Sequence, residues 1–333
     1  METSLFLIAL IIIALVFEFI NGFHDTANVV ATPIATRSLS PYQAIIIAAI
    51  FNFIGAYFST GVAKTITSGL FDAQFVTHSL IAAALISAIG WNLITWWLGI
   101  PSSSSHALIG SLIGGVIVGN GGFTAIKWSG LAQKVILPMM LSPIVAFFVA
   151  FIIMVIMSLM LSKNKNPRKT NNFIRELQVL SSGLLAFSHG SNDSQKTMAV
   201  ITLALFSFGM VHSTETIPSW VIIICAIAMA CGTLAGGMRI IKTLSSRLAK
   251  LKPANGFSAE LSSGALILAA SHFGLPVSTT QAASGSIMGA GYNGRGINWV
   301  VVRSMVTAWC LTLPISALIS AGVYKLILLL SLG

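Results

Sequence analysis

Gly99-Ile-Pro-Ser-Ser-Ser-Ser-His-Ala-Leu-Ile-Gly-Ser-Leu-Ile-Gly114 returns without gaps as Gly274-Leu-Pro-Val-Ser-Thr-Thr-Gln-Ala-Ala-Ser-Gly-Ser-Ile-Met-Gly289. Seven positions are identical: Gly, Pro, Ser, Ala, Gly, Ser and Gly. A second pair precedes it in each half, Asn21-Gly-Phe-His-Asp25 and His189-Gly-Ser-Asn-Asp193, with the Gly-Pro-Ser motif following about 75–80 residues later. Two motifs in the same order at similar spacing indicate a duplicated chain.

The composition says what surrounds this duplication. Charged residues make up 8 % of the 333, against about 25 % in a soluble domain. Apolar residues make up 56 %, and mean hydropathy is +0.91. A soluble fold of this length cannot hide so much apolar surface. A cytosolic enzyme, a nucleic-acid-binding module and a disordered chain are excluded. Apolar runs far longer than about 10 residues, without dyad alternation, exclude a β-barrel. An all-α polytopic membrane protein remains. The net charge of +10 is then loop charge that orients helices. Cys225, Cys231 and Cys310 lie inside apolar runs and read as packing residues. The first apolar run lacks a basic flank and a small-residue cleavage site, so it reads as a membrane helix.

Apolar stretches fall at 4–20, 43–62, 79–98, 135–161, 198–211, 218–238, 258–273 and 303–331, with Gly/Ser/Thr-rich stretches at 99–118 and 274–291. Each half is expected to carry about five crossings, with interrupted helices or re-entrant hairpins and a break at each Asp motif. An odd number of crossings inverts the second half. Residues 1–161 form the first repeat, 162–175 a basic cytoplasmic loop and 176–333 the second repeat. With 162–175 inside, Arg37, Lys163, Lys165, Arg168, Lys169, Arg175, Arg239, Lys242, Arg247, Lys250, Lys252, Arg295 and Arg303 fall inside. Lys64, Lys127, Lys134 and Lys325 fall outside, and Lys196 is left in the membrane. This split obeys the positive-inside rule and places both termini outside a cell membrane. Inverted repeats with interrupted helices are the architecture of secondary transporters.

Five of the 8 acids lie in or beside apolar stretches: Glu18, Asp25, Glu176, Asp193 and Glu260. A carboxylate at mid-bilayer costs about 2.5–3.5 kcal/mol even on the lenient insertion scale. Asp25 and Asp193, symmetrically placed, are therefore read as working residues. Glu18 and Glu176 are read near span ends and Glu260 as interfacial, none with an assigned role. The Gly-Pro-Ser motifs suit an anion. Pro fits a first helical turn, Ser and Thr cap it, and the free N–H groups with the helix dipole face an oxyanion. Two such half-helices brought face to face make one site from Ser103, Ser104, Ser105, Ser278, Thr279 and Thr280. His106 follows the Ser run and is a further candidate for substrate contact, while His189 is read as a structural donor.

Asn21-Gly-Phe-His-Asp-Thr-Ala-Asn28, Phe187-Ser-His-Gly-Ser-Asn-Asp-Ser-Gln-Lys196 and Gly274-Leu-Pro-Val-Ser-Thr-Thr280 resemble the inorganic phosphate transporter (PiT) family, closest to the bacterial low-affinity Pit branch. The resemblance covers both halves. It implies import of inorganic phosphate by symport with a cation, through inverted repeats and often as a homodimer. It also implies that Asp25, Asn28, Asn192 and Asp193 hold cations beside the phosphate. Two residues depart from the sodium-coupled pattern: His24 stands where Asn192 stands in the other half, and Lys196 where Asn28 stands. An ammonium at a coordinating position opposes Na⁺, and His24 is a titratable group. Both point toward H⁺ coupling, as in the Pit branch, which looks able to carry phosphate as a neutral divalent-metal complex.

The charges support co-transport independently. Asp25, Asp193, Lys196 and HPO₄²⁻ together carry −3, which is untenable when buried, so protons or a metal cation must enter with the anion. No permanent metal ligand, cofactor or nucleic-acid partner is expected. Na⁺ coupling is the alternative within the family, and sulfate the alternative substrate. Phosphate still carries protons at neutral pH and can donate to carboxylates, whereas sulfate cannot. A phosphoryl-transfer enzyme would need an acid cluster for Mg²⁺ and a nucleotide-binding loop, and 8 acids with no such loop exclude it.

Overall fold

The computed structural model describes residues 2–119, 122–162, 166–292 and 296–331. Thirteen α-helices run through them: α1 (Glu2–Ala35), α2 (Pro41–Phe58), α3 (Gly61–Gly69), α4 (His78–Leu98), α5 (Ser104–Val118), α6 (Trp128–Leu131), α7 (Leu137–Ser162), α8 (Pro167–Ser207), α9 (Ser219–Ala235), α10 (Met238–Lys242), α11 (Pro253–His272), α12 (Thr279–Gly291) and α13 (Trp299–Ser331). Pro41, Pro167 and Pro253 each occupy a first turn, where the missing N–H costs nothing. π-helical turns at Ala132–Ile136 and Thr243–Leu248 join α6 to α7 and extend α10. Five helices are long and apolar enough to cross a membrane, and the bent pair α9–α10 is a sixth candidate. The protein is a multi-pass helical membrane protein.

The element order of the first half repeats in the second: one long helix, one broken helix, two helices joined at a Gly-Pro-Ser motif, and one long peripheral helix. α1 and α8 lie antiparallel. Phe6 meets Phe208, Thr197 donates to Glu18, and Thr36 donates to Gln178. α4 and α5 form a hairpin that starts and ends at the Phe6–Phe208 end. His78 meets Phe6 edge-to-face and lies at a tilt against Phe208, and the segment after α5 bridges back through Phe71 and Ile126. α11 and α12 form the equivalent hairpin from the opposite end, where Ala249 pairs with Ile297 and Asn255 donates to Ala290 O. At the two tips Gly99 and Gly274 turn the chain with φ of 68° and 65°.

Each hairpin is backed by the last helix of the other half: α5 packs on α13, and α12 on α7. The seams are Gly110-x-x-x-Gly114 and Gly285-x-x-x-Gly289, the small-residue spacing that lets membrane helices touch backbone to backbone. A Cβ on Gly114 would lie 2.0 Å from Ala317 O, and one on Gly289 2.0 Å from Phe147 O. The opposite faces of α7 and α13 carry exposed Leu141, Phe148, Leu159, Leu318, Leu326 and Leu329, a surface suited to lipid.

Three expectations change. No break occurs at the Asp motifs: α1 and α8 run unbroken through Asp25 and Asp193. The glycines there serve close packing instead, since a Cβ on Gly190 would lie 2.1 Å from Asn52 O. The connection read over 63–78 contains most of α3, and α8 begins within the stretch read as the 162–175 loop. The stretch 198–211 is largely the end of α8. Lys163, Lys165 and Arg295 of the orientation argument lie outside the described residues. Of the other cations expected inside, Arg239 donates to Trp97 O beside the Gly99 tip, and Thr36, next to Arg37, donates to Gln178, one turn from Arg175.

Candidate functional site

Ser103 and Ser278 cap the two hairpin half-helices, accepting from His106 N at 3.2 Å and Gln281 N at 3.3 Å. That leaves the hydroxyls of the next two residues free to turn outward. Ser104 Oγ donates to Asp25 Oδ2 at 2.6 Å, and Thr279 Oγ1 donates to Asp193 Oδ2 at 3.0 Å. The following pair crosses between halves. Thr280 Oγ1 donates to Asp25 Oδ1 at 3.3 Å and accepts from Asn28 Nδ2 at 2.9 Å. Ser105 Oγ accepts from Lys196 Nζ, which also donates to Asp193 Oδ1. Ser104 corresponds to Thr279, Ser105 to Thr280, Asp25 to Asp193 and Asn28 to Lys196. The Ser104–Asp25 contact thus mirrors Thr279–Asp193, and Asn28–Thr280 mirrors Lys196–Ser105, whereas Ser105 Oγ donates to Val277 O where Thr280 donates to Asp25; every one of these side chains is buried.

The electrostatics follow from the same geometry. Two helix N-termini, each with unpaired N–H groups and a positive dipole end, converge on two carboxylates and one ammonium. Lys196 and Asp193 sit three residues apart on one helix face and pair directly. Lys196 is among the largest fully buried side chains of the protein. His24 Nδ1 lies 2.8 Å from Asp25 Oδ1, so the ring keeps a proton on that nitrogen when Asp25 is ionised. His24 Nε2 faces Thr95 and Ser102 at 3.3 and 3.4 Å.

Asn192, expected at the site, turns away from it. Its Nδ2 donates to Ser271 Oγ and Leu275 O, tying α8 to the α11–α12 tip. His106 is buried but hydrogen-bonds neither carboxylate. Glu176 is exposed, whereas Glu18 and Glu260 are wholly buried. The span-end and interfacial readings of the last two are corrected: unbroken α1 carries Glu18 deep into the bundle, and α11 begins seven residues before Glu260.

His189, read from the sequence as a structural donor, also lies against Asp193 of the site. Its Nε2 lies 3.3 Å from Asp193 Oδ2 and its Nδ1 3.0 Å from Asn52 Oδ1. Its spacing four residues before Asp193, on one helix face, was the available signal. One ligand atom each from Asp25, His189 and Asp193 lies within 4.8 Å of the others, a spacing that a single cation could bridge.

Comparison with known proteins gives the family. The sequence matches the phosphate transporter family over residues 21–320. This chain belongs to the phosphate transporter family. The probable low-affinity inorganic phosphate transporter of Bacillus subtilis is 47 % identical over 329 residues, covering 97 % of this chain and 98 % of the relative. That of Rhizobium meliloti is 43 % identical over 321 residues, covering 96 % and 95 %. Among solved structures, a sodium-dependent phosphate transporter superposes with a TM-score of 0.90 at 25 % identity, covering 97 % of this chain and 99 % of that one. As a family member, the chain is a phosphate transporter and not an enzyme.

Proposed function

We propose that this transporter imports phosphate by symport with H⁺, and that the phosphate sits between the tips of the two hairpins. The observation that carries the reading is the convergence of two hydroxyl-bearing helix N-termini on Asp25 and Asp193. A protonated phosphate oxygen can donate to either carboxylate, while its other oxygens accept from Ser104, Ser105, Thr279, Thr280 and the helix N–H groups. Binding then exchanges internal hydrogen bonds for bonds to substrate, which lets a buried site release its ligand again.

The position of Lys196 favours H⁺ over Na⁺. It lies on Asp193, at the place symmetry gives to Asn28 in the other half, and so brings one fixed positive charge to a coordinating position. Asp25, His189 and Asp193 provide the oxygen and nitrogen ligands that a divalent cation entering with phosphate would need. The antiparallel pairing of α1 with α8 supports the inverted-repeat reading, and the excess of Lys and Arg in the loops read as inside supports an orientation with both termini outside. Assembly as a homodimer belongs to the same proposal.

The test is ³²P-phosphate uptake into proteoliposomes under an imposed pH gradient or Na⁺ gradient, with sulfate as competitor. Accumulation driven by the proton gradient in Na⁺-free buffer, unaffected by sulfate, is the expected result. Accumulation only with Na⁺ would transfer the coupling to the sodium reading.

A further inference from the structure

Two carboxylates outside the phosphate site are wholly buried, Glu18 and Glu260, and their surroundings differ. Glu260 accepts four hydrogen bonds, from Thr32, Gln178, Ser181 and Ser182, so both oxygens are satisfied. Glu18 Oε2 accepts from Thr197 Oγ1, Ser194 is a second and weaker hydroxyl neighbour of the carboxylate, and Oε1 has no partner within ordinary hydrogen-bond geometry among the described residues. No cation lies within ion-pair distance of it among those residues. Beside it, Ser194 Oγ and both amide atoms of Asn21 are likewise buried without partners in that geometry. A lone carboxylate charge in such a place is expensive, and the smallest change that removes the charge is a proton on the bare oxygen.

The position adds a second argument. Glu18, Asn21 and Asp25 share one face of α1, with Glu18 two turns from Asp25 toward the Phe6–Phe208 end. On α8, Thr197 follows Lys196 directly and Ser194 follows Asp193 directly. The titratable groups facing Glu18 are Asp193 and Lys196 from α8 and Cys225 from α9, with His24 and Asp25 further along α1. A charge on Glu18 therefore draws on the same ammonium that Asp193 and Ser105 hold, and a neutral Glu18 leaves that ammonium to them.

We infer that Glu18 is a proton-binding site of this transporter, separate from the carboxylates that handle phosphate. The inference rests on the reading of phosphate–proton symport. In the step, an O–H bond forms at Glu18 Oε1 from water at one end and breaks to water at the other, with no electron transfer. Loading the proton frees Lys196 for Asp193 and the incoming anion, which ties proton entry to phosphate entry.

The experiment uses the full chain in proteoliposomes, with a pH-sensitive dye inside and ³²P-phosphate outside. Glu18→Gln is expected to lower the number of protons entering per phosphate by one and to abolish accumulation driven by a pH gradient. Exchange of labelled for unlabelled phosphate at equal concentrations should persist within about threefold. An unchanged proton-to-phosphate ratio in Glu18→Gln would overturn the inference. So would loss of exchange in Glu18→Gln with exchange retained in Glu18→Asp, which would move the residue to the phosphate site. Thr197→Val, which removes the nearer hydroxyl donor to Glu18, is expected to shift the pH profile of uptake by half a unit or more, with Thr197→Ser unshifted. A coincident profile in Thr197→Val would also count against it. Absence of phosphate exchange in the unaltered protein would overturn the phosphate reading itself, so the two failures are distinguishable.

Discussion

Asp25 and Asp193 hold the site together while awaiting a substrate. Each carboxylate fixes a hydroxyl from its own half's hairpin, and Thr280 and Lys196 add a link from each hairpin to the opposite half. Asp25→Asn and Asp193→Asn are each expected to abolish ³²P-phosphate uptake while leaving a monodisperse protein in detergent. An amide keeps the size but cannot accept as a carboxylate does. Wild-type uptake in either variant would remove that residue from the mechanism. Lys196 calls for a different test, because removing one partner of a buried pair costs about 3–5 kcal/mol by leaving the other charge uncompensated. Lys196→Asn restores the side chain found at the symmetry-related Asn28. Provided the protein stays monodisperse, the variant should lose proton-driven uptake and gain a dependence on Na⁺. Unchanged ion dependence would show that Lys196 serves packing alone. At this scale much was legible beforehand: the paired motifs named both carboxylates, the hydroxyls and Lys196. The surroundings of His189, Glu18 and Glu260 were illegible for one reason. Their weight depends on which helix lies opposite, and a single strand of sequence does not state that.

Among the elements, the hairpins set the geometry of the site, and their seams decide how firmly they are held. The Gly-x-x-x-Gly faces of α5 and α12 bring backbone against backbone on α13 and α7, so they tolerate no side chain. Overpacking by added methyl groups typically costs about 1–3 kcal/mol where side chains can shift. Here the obstacle is a carbonyl oxygen at 2.0 Å. Gly114→Val and Gly289→Val should therefore lower the melting temperature in detergent clearly, whereas Gly90→Ala, with open space around it, should leave it unchanged. Equal melting in all three variants would refute the seam. The seams were present in the quoted repeat from the start, but their glycines read equally well as loop formers. The same ambiguity produced the expected breaks at Gly22 and Gly190, where the helices in fact run on. Glycine permits both a turn and a close approach, and only the neighbouring helix tells which.

For the whole molecule, the duplicated motif order and the apolar lengths sufficed for an all-helical membrane bundle of two similar halves. The way the hairpins pair across the halves was beyond reach, because loops and half-helices of similar composition do not announce the end from which they enter. The arrangement places Ser213 at the Phe6–Phe208 end and Ser246 at the Ala249–Ile297 end, both exposed. In a background with Cys231 and Cys310 replaced by Ala, Ser213→Cys is expected to react with a membrane-impermeant maleimide on intact cells. Ser246→Cys should react only after the cells are broken. Reversed labelling would invert the proposed orientation, and labelling of both from outside would break the assignment of ends.

The exchange of partners between hairpins and long helices has a consequence for biosynthesis. When the ribosome has released the α4–α5 hairpin, the helix that covers its glycine face, α13, has yet to be made, since it follows α5 by about 180 residues. The first half must therefore wait in the membrane with an uncovered seam and a polar tip. Nonsense mutations that remove α13 should be as damaging as early ones, and cells should clear such truncated chains by proteolysis rather than accumulate half-transporters.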